Sequence, residues 1–288
     1  MLWPTIHNAA FRGDVGDLRA ELDKGVSPDL AYSAEWSNSN GSGAFTMTPL
    51  HRLLDGWVKY GIAPRDALSC LNLLLAAGAN PNLEQVGGAW IEFGVNNIPR
   101  GFLRTPLQLA VLKISRGSAE LFVARLLDAG ADVNARGSQN LTALHTAARY
   151  GSVECAALLI DAGANTNALS LNGSTYTPLD IALAAADVMM YRARTTMHLP
   201  FKESLEFEAR RCHRVALDLL RTDARTVVYD YDNASDPYVR RVLGAGGFRR
   251  YERAHLAALT ATFEPKFPAL PTDAVGVVVA FCFHVGSY

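Results

Sequence analysis

Residues 141–168 read LTALHTAARYGSVECAALLIDAGANTNA. Leu144, Ala147, Ala148 and Gly151 fall at i, i+3, i+4 and i+7, and Val153, Ala156, Ala157 and Ile160 repeat the spacing, so the stretch predicts two amphipathic helices back to back. Thr142 is placed to cap the first helix, and Gly163 stands where a helix ends in the left-handed conformation. Each helix is too short to be stable alone. The apolar face of the first is mostly alanine and glycine, so its neighbours must approach closely. One such pair leaves apolar surface that only another pair can cover, and the unit must therefore be repeated.

It is repeated. Leu126 to Ala135, LLDAGADVNA, returns with small changes as Leu159 to Ala168, and Gly130 and Gly163 are 33 residues apart. Helix starts of one kind recur as Thr48-Pro49-Leu50-His51, Thr105-Pro106-Leu107-Gln108, Thr142-Ala143-Leu144-His145 and Thr177-Pro178-Leu179-Asp180, with exits such as Gly78-Ala79-Asn80-Pro81-Asn82. On these residues the chain resembles an ankyrin-repeat protein. The resemblance implies an all-α solenoid of about five helix-turn-helix units over residues 1–225, with long finger loops, closed by a small helical cap at 226–288.

Composition narrows the function. With 49% hydrophobic residues the chain has ample material for a core, and a formal net charge of −1 argues against a protein that neutralises many phosphates, so nucleic acid is not an expected partner. Cys70, Cys155, Cys212 and Cys282 are far apart and show no C-x-x-C pairing, so they read as reduced thiols. The N-terminal stretch lacks the cationic and apolar regions of a secretory signal, and the longest apolar run, Ala274 to Val285, is too short for a membrane span. A cytoplasmic or nuclear setting without a membrane partner follows as the expectation.

The first repeat starts at Pro4, where Trp3 could cover the end of the stack. Gly25 to Thr48 spans 23 residues where Gly130 to Thr142 spans 12, so the first finger is enlarged, and its SNSNGSG run predicts a flexible tip. Gly78 to Thr105 is longer still, at 27 residues. The run GWVKYGIAPR reads as an enlarged turn between the helices of the second repeat, and Lys113 to Ser118 as the turn of the third. The fifth repeat opens at Thr177, carries a helix-rich insertion from Leu183 to Asp218, and then lacks the usual glycine and asparagine, which places the end of the regular stack near Arg225. Beyond it, Asp236-Pro237 and Phe248 to Phe263 predict two further helices.

No catalytic residue, cofactor or metal site is predicted. His7, His51 and His145 share one position in three repeats; the resemblance gives such a histidine the task of fixing the finger, and no cysteine or carboxylate accompanies it at zinc-ligand spacing. Asn82, Asn134 and Asn167 read as satisfying finger backbone groups. The cluster Asp230, Asp232, Asn233 and Asp236 lacks the glycine and glutamate of a calcium loop, and Gly244 to Gly247 lacks the strand and lysine of a phosphate loop. Arg240, Arg241, Arg249, Arg250 and Arg253 form a basic stretch that reads as a solvated face.

The expected function is non-enzymatic protein–protein interaction, with the fingers and inner helices as the binding surface. Trp36, Phe45, Trp90 and Phe93 in the two enlarged fingers are the candidate partner-binding residues, because large aromatics carry binding energy when they fill a partner's pocket. The competing reading folds them back to shield the helices. Phe267-Pro268-Ala269-Leu270-Pro271 and the apolar run after it are similar to F-box and SOCS-box modules. That resemblance implies, as an alternative, a substrate receptor recruited to a cullin-type ubiquitin ligase. The segment departs from the F-box in lacking further helices and from the SOCS box in lacking a leucine-cysteine motif, and a C-terminal cap is its other reading.

Overall fold

A computed structural model describes residues 4–38, 41–60, 62–87, 104–112, 119–170, 175–222, 224–227, 236–263 and 265. Five helix pairs stack among them: α1 (Thr5–Arg12) with α2 (Val15–Asp23), α3 (Pro49–Tyr60) with α4 (Pro64–Ala76), α5 (Pro106–Leu112) with α6 (Ala119–Asp128), α7 (Ala143–Tyr150) with α8 (Val153–Asp161), and α9 (Pro178–Thr195) with α10 (Leu199–Arg221). The first helix of each pair touches the first of the next, and the second touches the second, which makes two parallel layers. Ile6, Leu50, Leu107, Leu144 and Leu179, one from each inner helix, are fully buried along the seam. Small residues set the spacing. At Gly56 an added Cβ would lie 2.2 Å from the Phe11 carbonyl oxygen, so α1 and α3 are as close as backbones allow.

The first turns are locked as the repeated Thr-x-x-His pattern requires. The Thr142 side chain accepts from the His145 N–H while the His145 ring accepts from the Thr142 N–H, a reciprocal capping box, and Thr177 with Asp180 builds the same box.

The insertion in the fifth repeat is two long helices. α9 has 18 residues and α10 has 23, where α7 and α8 have 8 and 9. α10 lies across the α7–α8 turn: the Arg211 Nε donates to the Gly151 carbonyl at 2.9 Å, and Arg211 reaches Glu154 at 3.2 Å. After it, α11 (Pro237–Gly244) is capped by Asp236, which also pairs with His213 at 2.9 Å, and α12 (Phe248–Phe263) follows. Val239 and Val242 of α11 join the same apolar core as the repeats.

Two local expectations are corrected. The run after Gly56 does not widen the turn; it continues α3 as helix to Tyr60. The first finger is no open loop either. Tyr32–Asn38 (β1) and Gly41–Met47 (β2) pair antiparallel through all seven positions, leaving Ser39 and Asn40, outside the described residues, as the connection. Alternating Tyr32, Ala34, Trp36 and Phe45, Met47 around an Asn-Gly step suits a ribbon better than a coil. Trp3, the Lys113 to Ser118 turn, Asp230, Asp232 and Asn233, and the box-like segment 267–283 with Cys282 lie outside the described residues.

Candidate partner-binding surface

The two enlarged fingers meet. Val86–Gly87 (β3) pairs antiparallel with β2, Thr46 opposite Val86 and Phe45 opposite Gly87, so the strand order is β1-β2-β3. At the base of the second finger Gln85 and Arg104 bridge, the Gln85 N–H donating to the Arg104 carbonyl at 2.8 Å. Ser33 and Thr46, opposite each other in the ribbon, join hydroxyls at 2.8 Å. This register sets Trp36 opposite Gly43, and Phe45 opposite Ala34 on one side and Gly87 on the other. Trp90 and Phe93 lie outside the described residues. The strand β3 escaped the sequence reading because two residues carry no measurable alternation; the enlarged fingers themselves were the available signal.

A polar series at the buried bases holds each finger against the next repeat. The His7 ring meets the Met47 carbonyl at 3.1 Å, Gln108 donates to the Leu141 carbonyl at 2.8 Å, and the His145 Nε2 meets the Tyr176 carbonyl at 3.2 Å. Each carbonyl belongs to the residue before the next capping threonine. Because the His145 Nδ1 accepts from the Thr142 N–H at 3.1 Å, its proton sits on Nε2 and is donated to Tyr176. Burial pushes His51 and His145 down to about 4, and lowers His7 as well, so all three rings are neutral at physiological pH. Asp180 replaces histidine in the last repeat. A carboxylate cannot donate, and it instead accepts the Val227 N–H at 3.1 Å, tying down the chain that leaves the array.

A second series runs along the helix exits. Asn82 accepts from the Asp132 N–H at 2.7 Å, Asn134 from the Asn165 N–H at 2.7 Å, and Asn167 from the Arg225 N–H at 2.8 Å. Asp29 serves Asn80 in the same way at 2.9 Å. These side chains satisfy backbone of the following repeat rather than of their own finger.

The inner helices add Arg52, whose guanidinium lies 3.5 Å from the Phe11 ring centroid and 3.3 Å from Asp55. The three thiols among the described residues do not fit nucleophilic work. Burial pushes Cys70 up to about 12, and Cys155 and Cys212 up to about 11, so they remain protonated.

The stacked helix pairs with their polar inter-repeat ties make an all-α repeat solenoid, and part of it is similar in sequence to ankyrin repeats. Residues 60–170 and 107–189 match the sequence profile described as "Ankyrin repeats (3 copies)". Over 79 residues the chain is 39% identical to a Schizosaccharomyces pombe protein named glycerophosphocholine phosphodiesterase gde1, a match covering 27% of this chain and 7% of that protein. The chain thus spans a small fraction of that relative's length.

Proposed function

We propose that this chain is a non-enzymatic scaffold that holds another protein against its two enlarged fingers and inner helices, with Trp36, Phe45, Trp90 and Phe93 as anchors. The observation that carries the reading is the pairing of β2 with β3. It joins the two enlarged fingers where Phe45 faces Gly87, residues 42 apart in sequence. Residue 34 pairs with 45 and lies two before 36, so positions 36 and 45 share one face of the pleated ribbon. Pairing of the strands preorganises the two fingers, and preorganisation of this kind lowers the entropic cost of binding. Residues 1–225 are the interaction unit in this reading. Residues 226–288 are a cap, supported by Val239 and Val242 sharing the repeats' core.

Capture from native cell extract tests it. Trp36→Ala combined with Trp90→Ala should abolish recovery of the partner and leave the melting temperature within a few degrees. A clearly destabilised double variant would mean that the aromatics shield the helices. Recovery of a cullin with its adaptor, lost on deleting residues 264–288, would favour the ligase-receptor alternative instead.

A further inference from the structure

The α9–α10 hairpin projects from the edge of the stack opposite the fingers. Its inner faces are closed by Ala186, Ala193, Leu205 and Ala209, all buried, and Arg211 and Cys212 seat it on the α7–α8 turn. An alanine in place of Gly151 would put its Cβ 2.7 Å from the Cys212 nitrogen, so that seat is tight. The ten residues by which α9 exceeds α7 extend the hairpin by about 15 Å at 1.5 Å per residue. What it carries to the apex is apolar. Met197 is 98% exposed, Leu199 and Tyr191 69%, and Phe201 53%. Four large apolar side chains at one convex tip are costly to leave in water without a use.

Charge identifies what they meet. From Met190 to Lys202, MYRARTTMHLPFK, there are three permanent cations, Arg192, Arg194 and Lys202, together with His198, and no carboxylate. The chain as a whole carries −1, so this is a local inversion of sign. Acidic residues resume at Glu203, two residues after Phe201, and continue at Glu206 and Glu208, while on α9 Asp187 lies one turn before Tyr191. Apolar apex, cationic collar and acidic stem fit a planar, negatively charged surface with an apolar interior: the collar meets headgroups, the apex enters the acyl boundary, and the stem is repelled.

We propose that the α9–α10 tip docks on an anionic lipid bilayer, by shallow insertion of Met197, Leu199, Phe201 and Tyr191 and contact of Arg192, Arg194 and Lys202 with headgroups. This revises the sequence expectation of no membrane partner. No helix among the described residues is long and apolar enough to cross a membrane, so the contact is peripheral. Since tip and fingers lie on opposite edges, the docked protein presents its fingers away from the lipid.

Co-sedimentation of the full chain with vesicles tests the proposal, using phosphatidylcholine alone against phosphatidylcholine with about 30 mol % phosphatidylserine. The wild type should sediment with the anionic vesicles, and raised salt should release it. Replacing Met197, Leu199 and Phe201 each with Glu should weaken binding at least about tenfold with an unchanged melting temperature, as should Arg194→Glu with Lys202→Glu. No sedimentation of the wild type, or undiminished sedimentation of both variants, would overturn it. Loss of a captured protein in the tip variants without any vesicle binding by the wild type would also overturn it, and would assign the tip to a protein groove.

Discussion

Asn134 joins two repeats through Asn165: its side-chain oxygen accepts the Asn165 N–H at 2.7 Å while its amide donates to the Gly163 carbonyl at 3.3 Å. Both groups belong to a helix exit whose backbone has no helical partner of its own. Asn134→Ala should therefore cost about 1 kcal/mol in urea unfolding, the net value of a hydrogen bond with water available to replace it. Asn134→Asp, which keeps the acceptor and loses the donor, should cost less. Equal stability of all three proteins would remove the ladder from the account.

His145 gives the array a pH dependence of fixed sign. Its folded value of about 4 lies below the ordinary 6.5, so between those limits the unfolded chain binds the proton more readily and stability falls as pH is lowered. Above about 6.5 the ring is neutral in both states and nothing is lost. His51 behaves alike, and each should remove on the order of 3 kcal/mol by pH 4. Gln108 shows the cure, since glutamine holds the same position and keeps the donor. His145→Gln should retain most stability at pH 7 and flatten the acid limb of a denaturation profile, whereas His145→Ala should lower the melting temperature at pH 7. Zinc or a chelator should shift neither.

The solenoid was legible because its determinants are local and recur. Thr142, His145 and Gly163 each announce a cap, a tie or an exit by residue type, and four such helix starts, three of them followed by matching exits, agree. The partners of those residues were not legible. Nothing in the sequence says that Asn134 serves Asn165 instead of its own finger, since that depends on the stacking distance. The β2–β3 pairing of Thr46 with Val86 was hidden for the same reason, as was the register of the first finger, where Ser and Gly residues suggested a coil. The hairpin tip was in plain view as a helix-rich insertion, but only the exposure of Met197 distinguishes an apex from a core helix.

Leu144 is fully buried between helix pairs, and Leu144→Ala should cost about 2 to 5 kcal/mol. Gly56→Val tests the packing from the other side. With the Phe11 carbonyl 2.2 Å from the added Cβ, α1 and α3 must separate, at a cost of about 1 to 3 kcal/mol or more. Values below about 0.5 kcal/mol, typical of surface changes, would contradict the stacking described.

Asp180 should hold the end of the array. Asp180→Ala leaves the buried N–H of Thr177 without its acceptor, at about 1 to 3 kcal/mol, and releases the N–H of the exposed Val227 to water. Hydrogen exchange at the Val227 amide should accelerate while exchange in α5 and α7 stays slow. Asp180→His should not rescue it, because the ring would present a donor where an acceptor is needed.

The most direct test of the binding account places a photo-crosslinking residue at position 36 on β1 and, in a second protein, at the outward-facing Leu121 on α6. Irradiation in native extract should give a discrete crosslinked partner from position 36, competed by unlabelled wild type and absent from position 121. Crosslinks of equal yield from both positions, or none from position 36 while the partner is still captured, would contradict the claim that the joined fingers form the binding surface.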